Sequence, residues 1–345
     1  MTLTHPSRPV RPMPKSAFET RLLALAARWE TALVVILVVI CGLNTAASPY
    51  FLDLHNLFDS TQIFSEKGLL VLSMTLIVIT GDIDLSVASI IALTGTFVGF
   101  LALHGVATPW LVVGGIAVGT ACGAFNGGVI VRFQVPAIVV TIGTMSLFRG
   151  ISYIVLGDQA YTRFPESFAE LGQGTLGGYV PWEFLIYLAM AAVFAVFLHR
   201  TVFGRDLFAI GNNAQAARYS GIRVQNYRFL VFTLSGAMAG LAAVLFTSRV
   251  GAVRPNMAQG WELEVVATAV LGGVAIMGGS GTIPGVVLAT FVFGMLSFGL
   301  GLINVPGIIM SIVTGTLLIA AIATPIVVRR LRLALERRRE GNPRG

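Results

Sequence analysis

Lysine is almost missing from this chain: of 23 basic residues in 345, all but Lys15 and Lys67 are arginine. Charge of either sign is scarce, at 11%, against 55% hydrophobic residues and a mean hydropathy of +0.83. Soluble domains carry about 25% charged residues because their surfaces face water. That deficit excludes an ordinary soluble enzyme, and the high hydrophobicity excludes a disordered chain. The lysine shortage excludes a phosphate-cradling P-loop, which needs Gly-Lys followed by Ser or Thr. Here Lys15 follows Pro14 and Lys67 follows Glu66. The two cysteines, Cys41 and Cys122, lie in apolar runs and read as small buried hydrophobes rather than a disulfide or metal site. The four histidines, His5, His55, His104 and His199, are scattered without ligand spacing. No catalytic residue, metal or cofactor is expected, and no enzymatic activity.

What is present is a series of apolar runs, near 31–50, 66–80, 86–103, 110–131, 136–155, 184–199, 228–247, 264–278, 284–303 and 307–327. At about 20 apolar residues per crossing, the expectation is an all-α, polytopic membrane protein with about ten transmembrane helices. Residues 1–30 form a basic N-terminal segment, 31–328 a single transmembrane domain and 329–345 a basic tail. The basic leader and the spans that follow favour an uncleaved signal anchor over a cleaved signal peptide.

The net charge of +7 is read as topology rather than as nucleic-acid binding. With both termini cytoplasmic and ten crossings, 18 of the 23 basic residues fall inside and four outside, with Arg149 in a span. That asymmetry follows the positive-inside rule. Two loops are long: 156–183, outside and acidic, and 200–227, inside and basic.

The most unusual membrane segment is Gly81-Asp82-Ile83-Asp84-Leu85-Ser86, two carboxylates in a glycine-interrupted junction. A carboxylate near hydrocarbon must find water, a partner or backbone donors. One reading is a broken helix lining a translocation path; the other is a cytosolic turn. In both, Asp84 or Ser86 satisfies the free N–H groups of the next helix. A second break, Gly272-Gly273 through Gly278-Gly279-Ser280-Gly281, follows about 195 residues later. It reads either as half of an internal repeat with a site at the interface or as close packing through small residues.

Few ionisable residues fall within the spans: Asp82, Asp84, Arg149, and Glu262 and Glu264 at a span edge. With Asn126, Gln134, Thr141 and Thr144 nearby in sequence, this pattern favours a neutral polar solute. Arg149 either meets that solute or an external partner, or snorkels to the interface. In the inside loop, Asn213 is expected to cap a helix from Ala214 to Tyr219, with Gly221 ending it in the left-handed conformation. Its exposed side chains make it a handle for a motor protein or a plain connector.

The Gly81–Ser86 segment is followed by Phe133-Gln134-Val135-Pro136-Ala137, Gly143-Thr144-Met145, Phe148-Arg149-Gly150, the 204–222 loop and the second glycine break, in that order. Over roughly residues 45–325 this resembles the permease subunits of ribose-type carbohydrate ABC importers, a family that includes pentose, rhamnose and quorum-signal permeases. The resemblance implies a cytosolic ATP-binding-cassette ATPase, a periplasmic sugar-binding protein and a second permease subunit in a homo- or heterodimer, set in membrane lipid of the bacterial inner membrane. It implies import of a sugar and a coupling helix in the 211–222 segment, carrying Asn212, Asn213, Ala214, Gln215, Ala217, Arg218, Tyr219 and Gly221. The scarcity of span charge makes the solute neutral and sets the expected pathway at Asp82, Asp84, Ser86, Asn126, Thr141, Thr144, Arg149 and Glu264. Asp82, where many members carry a second glycine, and Ala88, where glycine is frequent, lean towards rhamnose-type permeases. The alternative from another class is a proton-coupled secondary transporter using Asp82 and Asp84 as a relay.

Overall fold

A computed structural model describes Trp29–Met310 together with Ile312, Val313, Gly315, Thr316 and Ile319. The basic tail and all of the N-terminal segment except Trp29 and Glu30 lie outside the described residues, as does most of the last apolar run. Those described are almost wholly helical: α1 (Trp29–Ala47), α2 (Leu54–Ile79), α3 (Val87–Leu103), α4 (Thr108–Phe133), α5 (Ala137–Leu156), α6 (Glu166–Gln173), α7 (Trp182–Arg200), α8 (Val202–Asn212), α9 (Ala214–Tyr219), α10 (Val224–Val250), α11 (Trp261–Leu271) and α12 (Ile283–Leu302). A two-residue hairpin, β1 (Thr175–Leu176) with β2 (Val180–Pro181), precedes α7.

Among the described residues, seven helices are long and apolar enough to cross a membrane: α1, α2, α4, α5, α7, α10 and α12. The apolar α3, of 17 residues, falls just short of a full span. The expected run 264–278 is not one helix. Helix α11 has 11 residues and stops at Gly272, about 16 Å of rise, roughly half the hydrocarbon thickness. Two connecting loops also hold more structure than expected. The 156–183 loop contains α6 and the hairpin, and the 200–227 loop contains α8 before α9.

The second run begins earlier than its hydropathy suggests. Asp53 caps α2, its carboxylate accepting the Asn56 N–H at 3.1 Å, and the helix runs through twelve residues expected to lie outside it. Three of their hydroxyls turn back onto the helix: Ser60, Thr61 and Ser65 donate to carbonyls three or four residues back. From Gly68 to Ile79 every residue is buried. A helix apolar on all sides belongs in the interior of a bundle, and α2 is its central post.

Around it, α4 and α10 pack most intimately. Gly115, Gly119, Gly123 and Gly127 recur every four residues, on one face of α4. A Cβ on Gly119 or Gly123 would collide with backbone at Gly236, Gly240 or Phe232 of α10. Lipid tails supply no hydrophobic drive between helices, so close backbone approach through small residues provides the dispersion contact.

Candidate functional site: two helix breaks and the coupling segment

The first break, residues 80–86, leaves α2 through Gly81 at φ +83°. Asp84 is fully buried there. One carboxylate oxygen accepts the Ser86 N–H at 2.9 Å and the Ser86 hydroxyl at 2.6 Å; the other accepts the Ser235 hydroxyl of α10 at 3.3 Å. The Asn126 amide of α4 donates to the Ser86 oxygen at 2.7 Å. Thr141 of α5 donates at a long 3.4 Å to the Ile83 carbonyl, and the Thr144 hydroxyl to the Thr141 carbonyl. Of the expected residues, Asp84, Ser86 and Asn126 are therefore brought into one buried polar cluster, Thr141 reaches its edge at the Ile83 carbonyl, and Thr144, also buried, bonds back to its own helix. The cap comes from Asp84 alone, since the Ser86 side chain makes no capping bond.

Asp82 has a different neighbour. Its carboxylate is gripped by the Arg228 guanidinium from the first turns of α10: Arg228 Nε donates at 2.7 Å and the second nitrogen also closes on it. A bidentate pair of this kind fixes orientation as well as charge. Asp82 thereby pins the break to α10.

The second break, 272–282, folds onto the first. Gly279 N–H donates to the Ile79 carbonyl, the last of α2, at 2.9 Å. A Cβ on Gly278 would press on Ile79 and Gly81, and its φ of +84° is one that L side chains rarely adopt. The first turn of α1 clasps this break at both ends. The Trp29 indole donates to the Leu271 carbonyl at 2.6 Å, and Glu30 accepts the Thr282 hydroxyl at 3.0 Å.

The segment singled out as a handle meets the two breaks directly. Asn213 caps α9, accepting the Gln215 and Ala216 N–H groups at 3.0 and 2.9 Å, and Gly221 ends it at φ +88°. Ala217 alone is buried, against Ile210 and Val224; Ala214, Gln215, Arg218 and Tyr219 are exposed, Tyr219 at 83%. One residue before the cap, Asn212 donates to the Gly279 carbonyl at 3.2 Å. Gly211 abuts the Ile79 carbonyl so closely that no Cβ fits. Asn212, Asn213, Ala214, Gln215, Ala217, Arg218, Tyr219 and Gly221 thus form one capped unit joined to both breaks.

The remaining expected residues, Arg149 and Glu264, lie elsewhere. Arg149 donates to the carbonyls of Pro255 and Met257 at 2.9 and 2.8 Å, tying α5 to the loop after α10. Glu264 takes both oxygens to Lys67 at 2.8 and 2.7 Å. Beside it is an ion cluster that sequence reasoning missed. Arg249 donates to both oxygens of Glu66 at 2.8 and 2.9 Å, and Glu183 lies 3.8 Å away. Lys67 stands at the start of the apolar run 66–80, Arg249 just beyond the run 228–247, and Glu183 at the end of the acidic 156–183 loop. All three belong to helices, and Glu183 is fully buried. The signal was available: Glu66-Lys67 and Arg249 interrupt apolar sequence, and charges there need partners.

Residues 56–322 match the family described as the branched-chain amino acid transport system / permease component. The chain belongs to this permease family. The autoinducer 2 import system permease protein LsrD of Yersinia enterocolitica is 35% identical over 300 residues, covering 85% of this chain and 90% of the relative. The LsrD protein of Photorhabdus temperata is 34% identical, with the same coverage. LsrC of Klebsiella pneumoniae is 34% identical over 308 residues, covering 89% of this chain and 87% of the relative. No solved structure matches the chain. This is an ABC-importer permease of the ribose type, a multi-pass protein of the inner membrane and not an enzyme. In this permease, α9 stands exposed beside the two breaks.

Proposed function

We propose that the permease passes a neutral, hydroxyl-rich solute delivered by a periplasmic binding protein, driven by a separate cytosolic ATP-binding-cassette ATPase. A second permease subunit completes the path. The solute is a pentose, a hexose, a deoxyhexose such as rhamnose, or the autoinducer 2 that the relatives' import systems are named for. The observation that carries this reading is the junction at Gly211 and Asn212. A displacement of α9 is delivered through Gly211 to the last carbonyl of α2 and through Asn212 to Gly279. One docked partner on α9 therefore moves both breaks.

In this reading ten spans cross, with both termini cytoplasmic. The α11 half-helix and the second break together form one crossing, and 307–327 forms the last. Residues 31–328 are the membrane domain, flanked by cytosolic segments 1–30 and 329–345. Asp84, Ser86, Asn126 and Thr141 hold the first break shut and, with Thr144, become path lining when it opens. Asp82 anchors that break, while Arg149 and Glu264 brace the outer half. A proton relay finds no support in this arrangement, because Asp82 is paired with Arg228 and Asp84 is held by three donors.

The test is Arg218→Glu in permease reconstituted with its ATPase and binding protein. Arg218 is exposed on α9, so the fold is retained while the docking charge reverses. Uptake is expected to fall at least tenfold with ATP hydrolysis persisting; normal uptake overturns the assignment.

A further inference from the structure

The second break has a tip, Ile276-Met277, that neither α9 nor the first break contacts through a side-chain hydrogen bond among the described residues. Met277 is 88% exposed, more than any other large hydrophobic side chain of the described residues, and Ile276 is 39% exposed. The loop that carries them is built, not slack. Ala275 N–H donates to the Ser280 carbonyl at 3.0 Å and Gly278 N–H to the Ala275 carbonyl at 2.9 Å. Gly273, Gly278 and Gly279 all hold positive φ, at an entropic cost to folding. The break thus holds a flexible, polarisable thioether out of the bundle, a side chain suited to an adaptable protein contact.

Its place decides between lipid and protein. The tip is tied by Gly279 to the end of α2, the buried central post. It therefore stands over the middle of the bundle's end, whereas lipid meets the perimeter. The same Gly279 touches Asn212, one residue before the α9 cap. Two extended residues span at most about 7 Å, so Met277 and Ala214 are each within about that distance of this junction. Together they fit within roughly 20 Å, inside the footprint of a standard interface of about 800 Å² per partner. A partner with a footprint of that size centred on the junction reaches both α9 and Met277.

We propose that Ile276 and Met277 form a second docking contact for the partner that takes α9, so that the ATPase touches the second break directly as well as through the coupling helix. The proposal rests on the reading of α9 as the ATPase-docking element. The partner surface it requires is an apolar depression beside the groups that receive Arg218 and Tyr219.

The experiment places single cysteines, Met277→Cys or Gln215→Cys, in permease carrying Cys41→Ala and Cys122→Ala. Labelling by a maleimide is followed in nanodiscs and in detergent, with and without the ABC ATPase that supports transport. Expected is at least tenfold slower labelling at both positions when the ATPase is bound, and fast labelling at Met277→Cys in nanodiscs without it. Protection of Gln215→Cys with free labelling of Met277→Cys overturns the second contact while leaving the α9 assignment standing. Protection of Met277→Cys by the nanodisc alone makes lipid the occupant and overturns it. Protection at neither position removes both readings.

Discussion

The guanidinium of Arg228 closes on both oxygens of Asp82, joining the first turns of α10 to a break 146 residues earlier in the chain. Asp82 is buried and Arg228 about a quarter exposed. The pair therefore lies between a surface bridge, worth about 0–1 kcal/mol, and a buried one, whose breakage costs about 3–5 kcal/mol. Asp82→Asn is expected to lower stability by roughly 1–3 kcal/mol on that scale. Asp82→Asn with Arg228→Gln, which leaves no lone charge, should recover part of the loss. Thermal unfolding in detergent, single against double variant, checks this.

Arg249 neutralises Glu66 and faces Glu183, both fully buried. Arg249→Gln strands two carboxylates together, at a cost of about 3–5 kcal/mol, and is expected to abolish accumulation of folded protein. Glu183→Gln removes one of the carboxylates competing for Arg249 and should be tolerated. Expression and size-exclusion profiles of the two variants separate these outcomes.

The α4–α10 contact makes a sharper contrast. Gly123 meets the α10 backbone where a Cβ would collide, whereas nothing lies within 4 Å of a Cβ on Gly128. Gly123→Val is expected to destabilise by several kcal/mol, beyond the about 1–3 kcal/mol usual for overpacking, because rigid backbone must move. Gly128→Ala should leave the unfolding midpoint within error.

Helix α9 has six residues and depends on its cap. Asn213→Ala removes the acceptor for two N–H groups, a loss of about 0.5–2 kcal/mol. Because α9 contributes only Ala217 to a core, the expected result is a nearly unchanged unfolding midpoint with uptake reduced at least fivefold. Parallel measurement of the midpoint and of reconstituted transport checks it.

Much of this was legible in the sequence. The cap at Asn213, the helix Ala214–Tyr219 and the stop at Gly221 could be read because short polar side chains and glycine act locally. The first break was legible because two carboxylates and a glycine cannot continue an apolar helix unnoticed. The start of α2 was not. His55, Asn56, Asp59, Ser60, Thr61 and Gln62 look like loop, yet several bond back to their own helix, and Glu66 and Lys67 find partners on α10 and α11. Hydropathy reads a residue's preference for water, whereas these residues answer to partners distant in the chain. The junction of Gly211 and Asn212 with both breaks was hidden for the same reason. It joins segments separated by 67 residues or more, and a single sequence carries no sign of that pairing.

In the function proposed above, the chain is a passive path whose breaks are moved through α9 by ATP hydrolysis elsewhere. Labelled-sugar uptake into proteoliposomes tests it most directly. Permease with its ATPase and binding protein, supplied with ATP and no ion gradient, is predicted to accumulate solute, and permease alone under a proton gradient to accumulate none. Gradient-driven accumulation by the permease alone would instead make the chain a secondary transporter.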